Sequence, residues 1–307
     1  MIKPIALRNK KHLIYCIIIF LSGIAIYANS FGNYFVWDDE YLVVDNILIK
    51  SWRFLNKIFH ANLFGGNWGD SNFYRPIQSL TLLLDYSIWR LNPLGYHLTN
   101  TLIHIANGIL IYWLLIFLLD ANATAAIFAA LFFLVHPIQT EAVTYISGRA
   151  DPLMVFFILL SFIFFIRWRK KSYSKLNIIY ACSLSCFILA LLSKEASLIF
   201  PFLILTYCLI DYDEEILRIK FSYFTDFSII AAIYLLIRVF VLDFLQTTTF
   251  SSSGIPLFTR LVVSCKAFMH YLGFVIFPFN LHMERHLETK GSLFEPDIWI
   301  SLILIVV

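Results

Sequence analysis

The chain has 307 residues, of which 60% are hydrophobic, 18% aromatic and 14% charged, and its formal net charge is +3. Soluble domains carry about 25% charged residues, so this chain has too few charges to cover a surface that faces water. The composition excludes an ordinary cytosolic enzyme, a disordered protein and a nucleic-acid binder, and it indicates a membrane protein.

The first apolar segment runs over 13–28 and follows four basic residues with no acid among them: Lys3, Arg8, Lys10 and Lys11. A helix of about 20 apolar residues crosses the hydrocarbon core of a bilayer, and the positive-inside rule then predicts a cytoplasmic N-terminus. A cleaved signal peptide is the alternative. The apolar region is longer than is usual for such a peptide, which favours an uncleaved first helix.

Six more spans are predicted at about 97–119, 122–138, 152–166, 176–192, 197–210 and 224–243. Counting the crossings places the basic residues within 167–175 on the same side as the basic N-terminus, as the positive-inside rule requires. The segment 258–277 carries charges and is expected along the membrane interface. The apolar run from 298 to 307 stops inside a hydrophobic segment. Further helices, or a repeat domain, are therefore expected to follow.

Five cysteines without a C-x-x-C spacing argue against disulfides or zinc. The predicted fold is an all-α polytopic transmembrane bundle, with residues 1–307 in one membrane-embedded domain.

The first outer loop, 29–96, is too long for a simple connection. It opens with Trp37 followed by three acids, Asp38, Asp39 and Glu40. Apolar residues at helical spacing predict interfacial amphipathic helices at 51–59 and 73–93, separated by a turn at 65–70. The plain alternative for the acids is a solvated start to an external loop.

Further ionisable residues are predicted at the same outer face. The loop 136–151 contributes His136, Glu141, Arg149 and Asp151, and the hairpin within 176–210 contributes Lys194 and Glu195. Charges at membrane depth are costly and are therefore usually paired or functional. Each residue also has a structural interpretation: His136 as a helix cap, and Lys194 as a snorkelling or Glu195-paired side chain.

Four polar residues recur at three- and four-residue spacing within the second span and therefore share one helix face: His97, Asn100, His104 and Asn107. Hydrogen bonds between helices are the favoured role for this row. His97 and Asn100 are close enough to the outer end to be candidates for a site as well.

Carboxylates beside cations at a membrane surface suit one kind of chemistry. A carboxylate accepts the proton of an attacking hydroxyl, and a fixed Arg or Lys stabilises the charge that grows on a departing phosphate. Phosphate-binding glycine loops and zinc-protease motifs are absent from the sequence. A transporter or flippase of lipid-linked glycans is the alternative, although such proteins place their charges near the midplane within inverted repeats. A non-catalytic membrane scaffold is the third hypothesis.

Several motifs in order resemble the GT-C membrane glycosyltransferases over about residues 30–205. The closest resemblance is to the transmembrane-and-tetratricopeptide-repeat O-mannosyltransferases and their bacterial relatives, with the protein O-mannosyltransferase and lipid A aminoarabinose transferase types as more distant relatives. The motifs are Trp37-Asp38-Asp39, Tyr74-Arg75-Pro76, Leu91-Asn92-Pro93-Leu94-Gly95-Tyr96-His97-Leu98-Thr99-Asn100, His136-Pro137, Thr140-Glu141-Ala142-Val143, Arg149-Ala150-Asp151 and Ser193-Lys194-Glu195.

The resemblance implies that a mannose-like sugar passes from a polyprenyl-phosphate donor to an acceptor hydroxyl, such as a protein Ser or Thr, with inversion. The acceptor is a protein or a glycan, the other partner is membrane lipid, and the active site is external: periplasmic or lumenal, on the inner or plasma membrane if the source is bacterial. The expected roles are Asp38 as base, Asp39 to orient the acceptor or a bound cation, and Arg149 and Lys194 at the donor phosphate. The residues expected around the pocket are His136, Glu141, Asp151, Arg75, His97 and Glu195. No cofactor is firmly implied. A divalent metal is an open question, with Asp38, Asp39, Glu141 and Asp151 as candidate ligands.

Overall fold

The computed structural model describes residues 5–66, 71–119, 122–170, 177–210, 217–241 and 257–282, and these ranges contain helices and no strands. The turn at 67–70, the basic residues at 171–175 and the run from 298 to 307 lie outside the described residues. The helices are α1 (Ile5–Tyr27), α2 (Leu55–Ile58), α3 (Pro76–Trp89), α4 (Pro93–Leu119), α5 (Ala123–Val135), α6 (Thr140–Thr144), α7 (Ala150–Lys170), α8 (Ile178–Leu191), α9 (Phe200–Ile210), α10 (Leu217–Leu236) and α11 (Leu257–Ile276).

The predicted all-α membrane architecture is confirmed, because every predicted span forms a helix in the part of the chain that the structure describes. Within the described residues, four helical segments are long and apolar enough to cross a membrane: Lys10–Gly32, Pro93–Leu118, Ile146–Lys170 and Phe221–Phe240. The runs predicted at 122–138, 176–192 and 197–210 form the shorter helices α5, α8 and α9. The described residues fall into two compact units, Met1–Val135 with Ala142–Thr247 and His136–Glu141 with Thr248–Val307.

In the first unit, α4 is the central helix and packs against α1, α5 and α7, while α7 also packs against α8 and α9 packs against α10. One apolar cluster joins α1, α4 and α5 through Ile19, Ile105 and Leu134. A second, mainly aromatic cluster joins α7 to α10 around Phe165 and Phe227. The opposite face of α1 leaves apolar side chains such as Leu13 and Ile14 exposed, as expected for a helix that faces lipid.

The long loop before α3 folds into a compact layer with its own core. Leu42, Val43 and Ile49 pack with Leu82 and Leu83 of α3. The amphipathic helix predicted within 73–93 is confirmed as α3. The helix predicted over 51–59 is wrong in length: it consists of a 3-10 turn, Trp52–Phe54, and the single turn α2, and the chain turns away at 59–61.

The motif at 91–100 builds the sharp corner between α3 and α4. Arg90 ends α3 with a φ of 54°, and the Asn92 side chain accepts a hydrogen bond from the Leu94 amide at 3.2 Å. A Cβ atom at Gly95 would lie 2.1 Å from the Trp89 ring, so only glycine lets α4 begin against that ring. This corner sets the direction of α4 and therefore the position of the polar row along it.

Candidate functional site

The two neighbouring acids of the first loop have opposite environments. The turn over 36–40 has the Asp39 amide donating to the Val36 carbonyl at 3.0 Å, and its apex, Trp37, has a φ of 52°. A bulky residue in this left-handed region carries about 1–3 kcal/mol of strain. The turn leaves Asp38 exposed and buries Asp39 completely.

Asp39 joins the first loop to the turn before α7. Its carboxylate accepts hydrogen bonds from the Ser147 amide at 2.8 Å and the Ser147 hydroxyl at 2.5 Å, and from the Val36 amide at 3.2 Å. Burial raises the pKa of Asp39 above its usual value, although these hydrogen bonds oppose the rise. The side chain therefore holds two loops together.

Asp38 is held through its backbone, which leaves its carboxylate at the surface. The Asp38 amide donates to the Tyr145 hydroxyl at 3.2 Å. Burial raises the pKa of Tyr145 to about 12, so this hydroxyl stays protonated at neutral pH. The Tyr145 carbonyl in turn accepts a hydrogen bond from the Asn100 side chain of α4 at 3.2 Å.

Arg149 is fully buried and bound by acceptors from within the protein. Its guanidinium forms an ion pair with Asp85 of α3 at 2.6 Å, and it donates to the Asn100 side-chain oxygen at 2.6 Å and to the Tyr96 carbonyl at 3.1 Å. Burial raises the pKa of Asp85, and the charge of Arg149 opposes that rise. Because this guanidinium is fully occupied and shielded from solvent, the contacts do not fit the phosphate-binding role expected of Arg149.

Two other cations are closer to solvent and are each paired with an acid. The Lys194 ammonium lies 2.5 Å from the Asp151 carboxylate, and these side chains are 25% and 42% exposed. The Arg75 guanidinium binds both Glu195 oxygens, at 2.9 and 3.3 Å. The Ile77 amide donates to the Leu192 carbonyl at 3.2 Å, so the start of α3 lies against the hairpin that carries Lys194 and Glu195.

Three members of the polar row along α4, Asn100, His104 and Asn107, form the hydrogen bonds predicted for it, and all four predicted members are buried. Asn100 donates to the Val143 and Tyr145 carbonyls, both at 3.2 Å, His104 contacts the Leu134 carbonyl at 3.2 Å, and Asn107 donates to the Pro152 carbonyl at 2.9 Å. The Leu134, Val143 and Tyr145 carbonyls lie at the C-terminal ends of α5 and α6 or in the turn that follows, where carbonyls lack helical partners, and the Pro152 carbonyl lies in the first turn of α7. His97 is buried at the outer end of the same row.

His136 and Glu141 belong to the second compact unit and are described separately. The His136 ring accepts a hydrogen bond from the Ile138 amide at 3.3 Å, which confirms the predicted helix-cap role. Its other ring nitrogen contacts the Val275 carbonyl at 3.0 Å. Glu141 is exposed. Among the described residues, no three His, Cys, Asp or Glu side chains come together as a set of metal ligands, and so the four candidate acids do not form such a set.

No family model and no solved structure matches the chain. Curated relatives match about half of the chain. A protein O-mannosyl-transferase of Caenorhabditis elegans is 33% identical over 178 residues, which are 56% of this chain and 24% of the relative. The mouse protein O-mannosyl-transferase TMTC3 is 35% identical over 142 residues, 45% of this chain and 15% of the relative. For the human protein O-mannosyl-transferase TMTC2 the values are 36% over 149 residues, 47% of this chain and 18% of the relative.

The chain is similar to protein O-mannosyl-transferases. The resemblance predicted from the ordered motifs is confirmed, although the chain spans less than a quarter of the length of these relatives.

The sequence did not indicate several residues that contact the candidate site. Asp85 is one polar residue among others in an amphipathic helix, so the sequence pattern does not distinguish it. Ser147 and Tyr145 carry no charge that would indicate a site. Arg238, in the turn at the end of α10, donates to the Asn72 carbonyl. Its position at the end of an apolar helix was the one available signal, because charges there are usually partnered.

Proposed function

We propose that the chain transfers a mannose-type sugar from a polyprenyl-phosphate donor to a hydroxyl of a protein Ser or Thr, with inversion at the anomeric carbon. Two findings support this proposal: the similarity to protein O-mannosyl-transferases and the geometry of the acidic turn. The observation that carries it is the exposed Asp38 carboxylate, presented beside a fully buried partner, Asp39.

In the proposed step, Asp38 accepts the proton of the acceptor hydroxyl while its oxygen attacks the anomeric carbon. The new carbon–oxygen bond forms on the face opposite the donor phosphate. The old carbon–oxygen bond breaks, and its electron pair leaves with the polyprenyl phosphate. A positioned base of this kind contributes about 10²–10⁴-fold to the rate.

Lys194 and Arg75 are the cations proposed to stabilise the leaving phosphate. Both are partly exposed, and each is held in place by an acid. Lys194 pairs with Asp151, and Arg75 pairs with Glu195, the residue that follows Lys194 in the hairpin. A phosphate bound here would accept hydrogen bonds from Lys194 and Arg75, either in place of the two carboxylates or together with them.

Arg149 is proposed as a positioning residue. It fixes Asn100, whose side chain binds the Tyr145 carbonyl, and the Tyr145 hydroxyl in turn holds the Asp38 amide. His97 is proposed to complete the buried support around this network.

The site is proposed to face away from the cytoplasm. Lys10 and Lys11 lie at the start of the first span and Asp38 follows its end, while Asp151 begins α7 and Arg167 lies in its last turn. The acids and the basic clusters therefore lie at opposite ends of two spans. The positive-inside rule assigns the basic ends to the cytoplasm.

The proposal is tested with the purified chain in lipid nanodiscs, a radiolabelled polyprenyl-phosphate mannose and a Ser/Thr peptide. We expect the label on the peptide and an equal amount of released polyprenyl phosphate. Asp38→Asn should lower both by about 10²–10⁴-fold, whereas Asp45→Asn, which neutralises another exposed acid of the same loop, should leave them unchanged. Transfer at the wild-type rate by Asp38→Asn would reject the assigned base.

Movement of intact labelled donor across a proteoliposome membrane, without cleavage, would favour a flippase instead. Adding EDTA to the transfer assay tests whether a divalent metal is required.

A further inference from the structure

An exposed patch of aromatic and acidic side chains surrounds the proposed base. Tyr34 is 81% exposed, Trp37 59% and Tyr41 53%, and the acids between them, Asp38 and Glu40, are exposed as well. We call these five residues the aromatic–acidic patch. Exposed Trp and Tyr side chains grouped in this way are typical of binding surfaces.

Trp37 is the residue of this patch that the fold does not explain. Its φ of 52° lies in the left-handed region, where glycine would relieve the strain. Its indole lies outside the three apolar clusters formed by the described residues, so packing gives no reason for a large aromatic side chain. Residues with a strained backbone cluster at active sites and ligand-binding sites.

The charge around the patch narrows the choice of ligand. The segment 34–49 holds four acids and neither Lys nor Arg, so it repels the donor phosphate and anionic lipid headgroups. The cations proposed for the phosphate, Lys194 and Arg75, are paired with other acids on the 192–195 hairpin and α3. A neutral or basic peptide suits the patch, because its cations meet acids and its apolar groups meet aromatic rings.

We infer that the aromatic–acidic patch binds the acceptor polypeptide, with the Trp37 indole as its main contact, and that it favours extended Ser/Thr segments carrying Lys or Arg. This inference rests on the proposed function for the identity of the acceptor. The strained turn then serves two purposes, since it presents the Asp38 carboxylate and places an aromatic surface beside it.

Peptide binding without donor tests the inference apart from catalysis. The full chain in nanodiscs is titrated with a short fluorescein-labelled Ser/Thr peptide containing lysines and with its counterpart containing glutamates. We expect the lysine peptide to bind more tightly and Trp37→Gly to weaken it by about tenfold or more. Glycine suits the left-handed turn, so the variant should fold with an unchanged or raised melting temperature. Trp52→Ala, which removes another exposed tryptophan, is the matched control and should bind as the wild type does.

The possible outcomes separate this inference from the proposed function. Equal binding by Trp37→Gly, or equal binding of both peptides, would overturn the docking surface even if sugar transfer is observed. Binding that depends on Trp37 without any transfer by the wild type would support the docking surface and reject the transferase. The fluorescence of Trp37 is obtained as the difference between the wild-type spectrum and that of Trp37→Phe. If lipids brominated near the headgroup quench this fluorescence, Trp37 lies in the membrane interface, and the inference is overturned.

Discussion

The contrast between Asp38 and Asp39 leads to a sharp pair of substitutions, each of which replaces a carboxylate by the isosteric amide. The Asp39 carboxylate receives three hydrogen bonds, from the Val36 amide and from the Ser147 amide and hydroxyl. An asparagine offers one acceptor oxygen and turns its NH₂ group toward a remaining backbone N–H. One buried donor is left unpaired, and Asp39→Asn should therefore lower the free energy of unfolding by about 1–3 kcal/mol.

Asp38→Asn should have the reverse effects. The Asp38 side chain is exposed, and surface substitutions change stability by about 0.5 kcal/mol or less. Transfer should fall by about 10²–10⁴-fold, because the amide cannot accept the proton. Asp39→Asn, measured per folded molecule, should keep most of its activity.

Both quantities can be measured on the same preparations. Unfolding is followed by titration with SDS in mixed micelles, and transfer is followed by release of labelled polyprenyl phosphate, normalised to the folded fraction. Asp45→Asn, at an exposed acid of the same loop, controls for the loss of one negative charge. If Asp39→Asn were stable and inactive while Asp38→Asn stayed active, the division of roles inferred from burial would be refuted.

Three further predictions follow from the contacts. Arg149→Met and Asp85→Leu should each destabilise the protein by about 3–5 kcal/mol, and the double variant by much less than their sum, since no buried charge is then unpaired; additive losses in SDS titrations would contradict the buried pair. Burial raises the pKa of Asp39 above the usual 3.8, so the native state holds this proton more tightly than the unfolded state, and the free energy of unfolding should fall as the pH rises from about 4 through the native pKa. Asp39→Asn should flatten that fall in unfolding curves measured across this range, and an unchanged slope would exclude Asp39 as its source. Lys194→Gln should raise the KM for the donor by about tenfold, the loss of one charge-assisted hydrogen bond, and leave the KM for the acceptor unchanged, whereas Arg167→Gln at the other end of α7 should change neither.

The helices could be predicted from sequence because a lipid environment leaves a strong local signal. Apolar runs of the right length mark α1, α4, α7 and α10, and the backbone of a span must satisfy its own hydrogen bonds. The polar row on α4 was also visible, since helical periodicity places its members on one face. The loop before α3 was harder to predict, because its core forms between residues such as Leu42 and Leu83 that are distant in sequence.

The roles of the site residues depended on contacts that no local pattern reveals. Asp38 and Asp39 are equivalent in sequence, and only the bonds from Ser147 to Asp39 decide which acid is buried. Arg149 and Lys194 are both cations at the outer ends of helices. One is enclosed by Asp85 and Asn100 while the other stays near solvent, and this difference depends on how α3 packs on α4.

The buried network explains how a strained, exposed turn keeps one geometry. A buried ion pair contributes little net stability, because desolvation offsets the attraction between its charges. The Arg149–Asp85 pair nevertheless ties the turn before α7 to α3, and Asn100 extends the tie to Tyr145. Since Tyr145 and Ser147 hold the backbone of Asp38 and the side chain of Asp39, loosening the pair should move the base before it unfolds the helices. Arg149→Lys keeps the charge but not the fork of donors. It should therefore raise the activation free energy of transfer by more than it lowers the free energy of unfolding.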